Sequence, residues 1–224
     1  MARDEHHRIH ANDRQQHNRR RVAQEAARLM TEHGIRDYHR AKLKAAQRLG
    51  IDDAQALPRN QEIEDALREH QRLFLGDRQL QLVRERREAA IEAMRFLAPF
   101  EPRLVGAVLE GTADEWSAVC LHVFSDDPDA IYQFLHERGV PFETETRRLR
   151  ATRDTQVEYP VLLFAAGDLP FDLTVMPRNA LRQAPLDRVD EHPMRRASLA
   201  MVAALLAEDQ AGDELERMLA RVRR

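Results

Sequence analysis

Up to about Phe100 the apolar positions recur at intervals of three and four residues, the spacing of one helix face. Val22, Ala23, Ala26, Leu29 and Met30 form the first stripe, and Gly34 stands where that helix would stop. A second helix is read from Arg36 to Leu49, ending at Gly50. In "LPRNQEIEDALREHQRLF", Pro58 and early acidic residues precede a stripe of Ile63, Ala66, Leu67, Leu73 and Phe74. Asp77 can then cap a fourth, longest helix lined by Leu80, Val83, Ile91, Met94 and Leu97. Ahead of all these, residues 1–15 read as a polar, disordered tail.

From Arg103 to Met176 the period shortens to that of strands. Five runs carry it: "RLVGAVL", "AVCLHVF", "FETETRRL", "VEYPVLLFAA" and "FDLTVM". Between the second and third, "DDPDAIYQFLHERGV" predicts a helix with Asp127 as cap, Pro128 in the first turn and Gly139 as terminator. A connection from Pro177 to Pro193 leads to two closing helices, one carrying Leu199, Val202, Leu205 and Leu206, the other Leu215, Met218, Leu219 and Val222. The expected class is α+β: a helical N-terminal region (1–98), a small mixed-sheet α/β domain (99–180), and a linker with two C-terminal helices (181–224).

Composition narrows the class without naming a reaction. A third of the residues are charged, yet the formal net charge is only -3, and no run approaches the length of a membrane helix. The lone Cys120 cannot form an internal disulfide or a thiolate zinc cage, so a cytoplasmic protein with no membrane partner is expected. Residues 1–100 hold about 20 basic against 16 acidic side chains and the remainder about 15 against 22, which turns attention to the N-terminal half as a surface for an anionic partner. There Arg36, Arg40, Lys44 and Arg48 recur roughly every four residues, a stripe able to meet phosphates or simply to be solvated.

The chemistry, if any, centres on "GAVLEGTADEWSAVCLHVF". Gly106 and Gly111 are spaced glycines after a strand, and Thr112 and Ser117 lead into the next strand. This stretch, together with "VEYPVLLFAAGDLPFDLTVMP", resembles the signature of the DNA polymerase beta-like nucleotidyltransferase superfamily over residues 103–176. The resemblance implies that Gly106, Ala107, Gly111, Thr112 and Ser117 line a nucleotide-binding turn and that Asp172 matches the family's third carboxylate. It also implies two Mg²⁺ ions with a nucleoside triphosphate, because alternate strand carboxylates present oxygen ligands on one face.

The match fails where that chemistry needs oxygen. Ala118 and Cys120 occupy the positions of the two aspartates of the second strand, and Ala107 that of the phosphate-contacting serine. A thiol is a soft, poor ligand for Mg²⁺. Asp114, Glu115, Asp126 and Asp127 lie outside the strand, and a register slip to recruit them would turn its buried face to water. By alternation, Cys120, His122 and Asp172 should share a face, which leaves open a soft-metal site or an ordinary buried thiol, histidine and carboxylate. Ser117 lacks a nucleophile elbow, and Cys120 and His122 point the same way on one strand, which disfavours nucleophilic hydrolysis.

Three functions remain expected from sequence. The first is a degenerate nucleotidyltransferase-like protein that binds nucleotide, nucleic acid or protein without two-metal turnover. The second is an active nucleotidyltransferase with an unconventional metal set in which Asp172 joins acids outside the strand, Asp172 and His122 being the catalytic candidates, to transfer a nucleotide to RNA, protein or a small molecule. The third is an interaction module in which the basic N-terminal helices dock nucleic acid or a protein.

Overall fold

The computed structural model describes residues 2–53, 56–74, 76–189 and 191–222. It divides into two compact units, Met1–Gly76 with Arg188–Asp190, and Asp77–Asp187 with Glu191–Arg224.

The first unit is helical. Helix α1 runs Ala2–His33, α2 Tyr38–Leu49 and α3 Asn60–Phe74. The sequence stripe is its core: Val22, Ala23, Ala26, Leu29 and Met30 of α1 pack with Ala41, Ala45 and Ala46 of α2 and with Ile63 and Leu67 of α3. Helix α2 starts later than its pattern suggests because the Asp37 carboxylate accepts from the Arg40 N–H at 2.6 Å, and it ends at Gly50, whose φ of 63° closes the last turn. At the start of α3 the Glu62 carboxylate accepts from the Arg59 N–H at 2.7 Å. Polar ties complete the unit: Tyr38 donates to the buried Glu64 at 2.6 Å, and the Lys42 ammonium to the Pro58 carbonyl and Asn60 Oδ1. Helix α1 begins at Ala2, where a disordered tail was expected, so one continuous helix crosses the polar run ahead of Val22.

The second unit carries the sheet. After α4 (Gly76–Phe96) come β1 (Arg103–Val105), the single turn α5 (Ala107–Glu110), β2 (Val119–Phe124), α6 (Pro128–Glu137), β3 (Glu143–Arg150), β4 (Gln156–Ala166), β5 (Leu169–Met176) and α7 (Leu199–Val222). The strand order is β1-β2-β5-β4-β3. Only β2 and β5 run parallel, Cys120 beside Asp172 and His122 beside Thr174. That pair requires the long crossover through α6 and the β3–β4 hairpin, since parallel neighbours cannot be joined by a tight turn. Antiparallel β4 and β5 are joined by the two residues Gly167 and Asp168, with Gly167 at a φ of 60°.

One face of the sheet is apolar. Val119, Leu121 and Val123 of β2 and Phe171, Leu173 and Val175 of β5 pack with Val83, Ala90, Ile91, Met94 and Leu97, with Ile131 and Leu135 of α6, and with Val202 of α7. This packing corrects the expected boundary near residue 98. Helix α4 supplies the sheet's core, so the division falls at Gly76. Leu80, read as a core position, is exposed. The side chains of Leu73, Phe74, Asp77, Leu215, Leu219 and Val222 lie outside the described residues.

Two further readings change. The run "RLVGAVL" is not one strand: β1 ends at Val105, Gly106 turns the chain, and Ala107–Glu110 is helical. At the C-terminus one helix replaces two, because Gly212 takes no left-handed turn and no proline intervenes. A single glycine costs a helix only about 1 kcal/mol relative to alanine, too little to break it.

Candidate functional site

The face of the sheet opposite the helical core carries the residues that sequence singled out. Strand alternation puts Cys120, His122 and Phe124 of β2 beside Asp172, Thr174 and Met176 of β5 on this face. The expectation that Cys120, His122 and Asp172 share one side is met. Across β1, Val105 pairs with Cys120 and Arg103 with His122. Gly106 follows directly, at φ 71° and ψ -155°, a conformation open to glycine alone, and a Cβ added there would lie 3.9 Å from the Cys120 Cβ. Gly106, Cys120 and Asp172 therefore adjoin at one end of the sheet.

What sequence did not foresee is the partner of Asp172. Arg147, two strands away on β3, reaches across β4 and grips the carboxylate with both ends of its fork, Nη1–Oδ1 at 2.9 Å and Nη2–Oδ2 at 2.6 Å. Nη1 also donates to Thr174 Oγ1 at 3.3 Å. Burial pulls the Arg147 pKa down, but the hydrogen bond and charge of Asp172 outweigh it and leave it above the ordinary value. Bidentate pairing of this kind is among the stronger charged contacts.

These residues do not fit the metal pair that the resemblance implies. Both oxygens of Asp172 are held by Arg147, and Ala118 and Cys120 supply no oxygen ligand. Nor do they form a soft-metal site. Cys120 faces the Ala118 carbonyl at 3.7 Å, and the His122 Nδ1 accepts from Arg196 Nε at 3.1 Å. Among the described residues no three of His, Cys, Asp and Glu gather to hold a metal ion.

His122 is only 2% exposed. Burial foremost, then the charges of Arg196 and Arg147, push its pKa down to about 3. Because Nδ1 accepts from Arg196, the ring proton sits on Nε2. An imidazole this hard to protonate is a weak general base near neutral pH, which counts against His122 as a catalytic residue.

The turn between α5 and β2 is built to be rigid. Gly111 closes α5 at φ 76°, and the Thr112 N–H donates to the Ala107 carbonyl at 2.9 Å. Ser117 Oγ donates to Asp114 Oδ1 and accepts from the Asp114 N–H, each at 2.9 Å. Thr112 and Ser117 are thus buried in the turn's own framework, Ala107 packs against the helical core, and of the expected nucleotide-binding set Gly106 is the residue that abuts Cys120. Helix α4 fastens the same turn. Arg86 donates to the Glu115 and Ser117 carbonyls at 3.0 and 2.9 Å, Arg87 to those of Val108 and Leu109 at 3.2 Å each, and Gln79 to that of Ala113. Both arginines are buried. The signal was present in sequence: Gln79, Arg86 and Arg87 fall on the stripe that Val83 and Ala90 continue. Trp116, by contrast, is 58% exposed at the turn's tip.

In the first unit the basic stripe shortens. Arg36 precedes α2, and Arg48 pairs with Glu25 at 3.2 Å, leaving exposed Arg40 and Lys44 one turn apart on the helix. No helix among the described residues is long and apolar enough to cross a membrane. Comparisons with protein-family models, with curated proteins and with solved structures find no match to this chain.

Proposed function

We propose that this chain is a nucleotidyltransferase-like protein that binds nucleotide, nucleic acid or protein and no longer performs two-metal nucleotidyl transfer. The observation that carries the reading is the bidentate grip of Arg147 on Asp172. In the family that the motif resembles, the matching carboxylate holds metal; here an arginine takes both its oxygens while Ala118 and Cys120 stand at the other two ligand positions. Two-metal catalysis needs oxygen ligands on both ions to neutralise the leaving group and activate the nucleophile, and one occupied carboxylate cannot supply them. A sheet with one helix-covered face, the central parallel pair and the glycine turn at Gly106 support the kinship of the frame.

The test is incubation of the purified protein with each α-labelled nucleoside triphosphate, Mg²⁺ or Mn²⁺, and RNA. Retention of labelled nucleotide or RNA on a filter is expected, with no covalent transfer of label to RNA or to the protein. Metal-dependent transfer that disappears in Asp172→Asn would overturn the reading in favour of an active enzyme.

A further inference from the structure

Several arginines of the sheet-bearing unit are paired with acids. Arg78 meets Glu115, Arg87 meets Asp209, Arg148 meets Glu158, Arg150 meets Glu191 and Arg195 meets Glu110, all between 2.6 and 2.9 Å. Arg196 and Arg103, both partly exposed, have other partners. Arg196 gives Nε to His122 Nδ1 at 3.1 Å and Nη1 to the Ala180 carbonyl at 2.6 Å, turns Nη2 to the Met176 sulfur at 3.3 Å, and lies 5.2 Å from the Phe124 ring centre. Arg103 gives Nη1 to the carbonyls of its neighbours Glu101 and Pro102, both at 3.0 Å. Neither has a carboxylate partner among the described residues.

The backbone forces the two charges together. Leu104 and Ala197 exchange both hydrogen bonds at 2.9 Å, and both are buried in the apolar core. Alternation then sends Arg103 and Arg196 to the opposite face, and the register sets Arg103 across from His122. Burial, and the like charge of Arg103, draw the Arg196 pKa down to about 10 against the opposing pull of Tyr159, so it stays a cation near neutral pH. Partly buried like charges are unfavourable until a counter-charge arrives. Donors remain for one. A guanidinium has five N–H groups, of which Arg196 engages three, and no described residue accepts from the Nε2–H of His122.

We propose that Arg103 and Arg196, both partly exposed, hold a phosphate group together with the Nε2–H of His122 on the sheet face opposite the helical core. Guanidinium forks match the several acceptor oxygens of phosphate, and the neutral imidazole adds a donor without adding charge. The site goes beyond the nucleotidyltransferase-like reading, because it needs neither a metal nor the Gly106 turn. Its phosphate can be free or carried by an ester.

Isothermal titration of inorganic phosphate, and separately of adenosine monophosphate, into the full-length protein at low salt tests it. Saturable binding is expected, weakened about tenfold or more in Arg103→Gln and in Arg196→Gln. Arg148→Gln, which loses only the exposed pair with Glu158, should bind like the parent. Arg103 contacts only neighbouring carbonyls, so Arg103→Gln keeps the test open if Arg196→Gln fails to fold. Tighter binding of the monophosphate, with the same dependence on Arg103, identifies an ester as the ligand; equal affinity identifies free phosphate. No saturable binding of either by the parent, or unchanged binding in a folded Arg103→Gln, overturns the proposal.

Discussion

Replacing Arg147 by methionine should lower the unfolding free energy by about 3 kcal/mol, while the double replacement Arg147→Met with Asp172→Leu should recover most of that loss. The Asp172 side chain is only 10% exposed, and it gives both oxygens to Arg147. Removing the arginine leaves a nearly buried carboxylate with no cation, the costly half of any buried ion pair. Removing both leaves apolar side chains beside Cys120 and Leu163, where they can pack. The loss is set at the lower end of the range for buried pairs because the Arg147 side chain is 32% exposed. Urea unfolding of the parent, both single variants and the double variant gives the coupling directly. A loss under about 0.5 kcal/mol in Arg147→Met would mean that the pair is an ordinary surface contact.

The second large effect is a dependence of stability on pH that runs through one histidine. In the unfolded chain His122 titrates near 6.5, and in the fold its pKa lies at about 3. Between these values the unfolded state binds a proton that the native state refuses, so stability falls as pH falls. The slope from this group is about 1.4 kcal/mol per pH unit, full stabilisation being present above about pH 6.5. By pH 4.5 the stability lost through this group amounts to roughly 2.7 kcal/mol. His122→Gln cannot be charged and should flatten the curve of unfolding free energy against pH by that slope. Parallel curves for parent and variant below pH 6 would show that His122 protonates freely in the fold.

Much of the local structure was legible because it is dictated by short-range chemistry. The Val22–Met30 stripe, the Asp127 cap and the left-handed Gly50 each depend on residues within a turn or two. The same holds for β2 and β5, whose alternation fixed which side Cys120, His122 and Asp172 would take. What escaped was set at long range. Arg147 lies 25 residues from Asp172, and Arg196 lies 74 from His122; in a chain with so many arginines nothing marks which one will reach an acid or an imidazole. Gly106 illustrates the limit in one residue. The resemblance places it in a nucleotide-binding turn, and its φ of 71° shows a backbone need that any occupant of the turn would share. Two arginines on the buried stripe of α4 were visible in sequence, but only the carbonyls of the following turn explain why they are tolerated there.

Whether Asp172 takes part in metal binding is tested most directly by the electron paramagnetic resonance of Mn²⁺ titrated into the parent protein and into Asp172→Asn. With Asp172 held by Arg147 and no oxygen ligand at Ala118 or Cys120, Mn²⁺ should keep the spectrum of the free aquo ion in both samples. A bound fraction in the parent that disappears in Asp172→Asn would contradict this, and would return the carboxylate to the metal chemistry that the surrounding motif resembles.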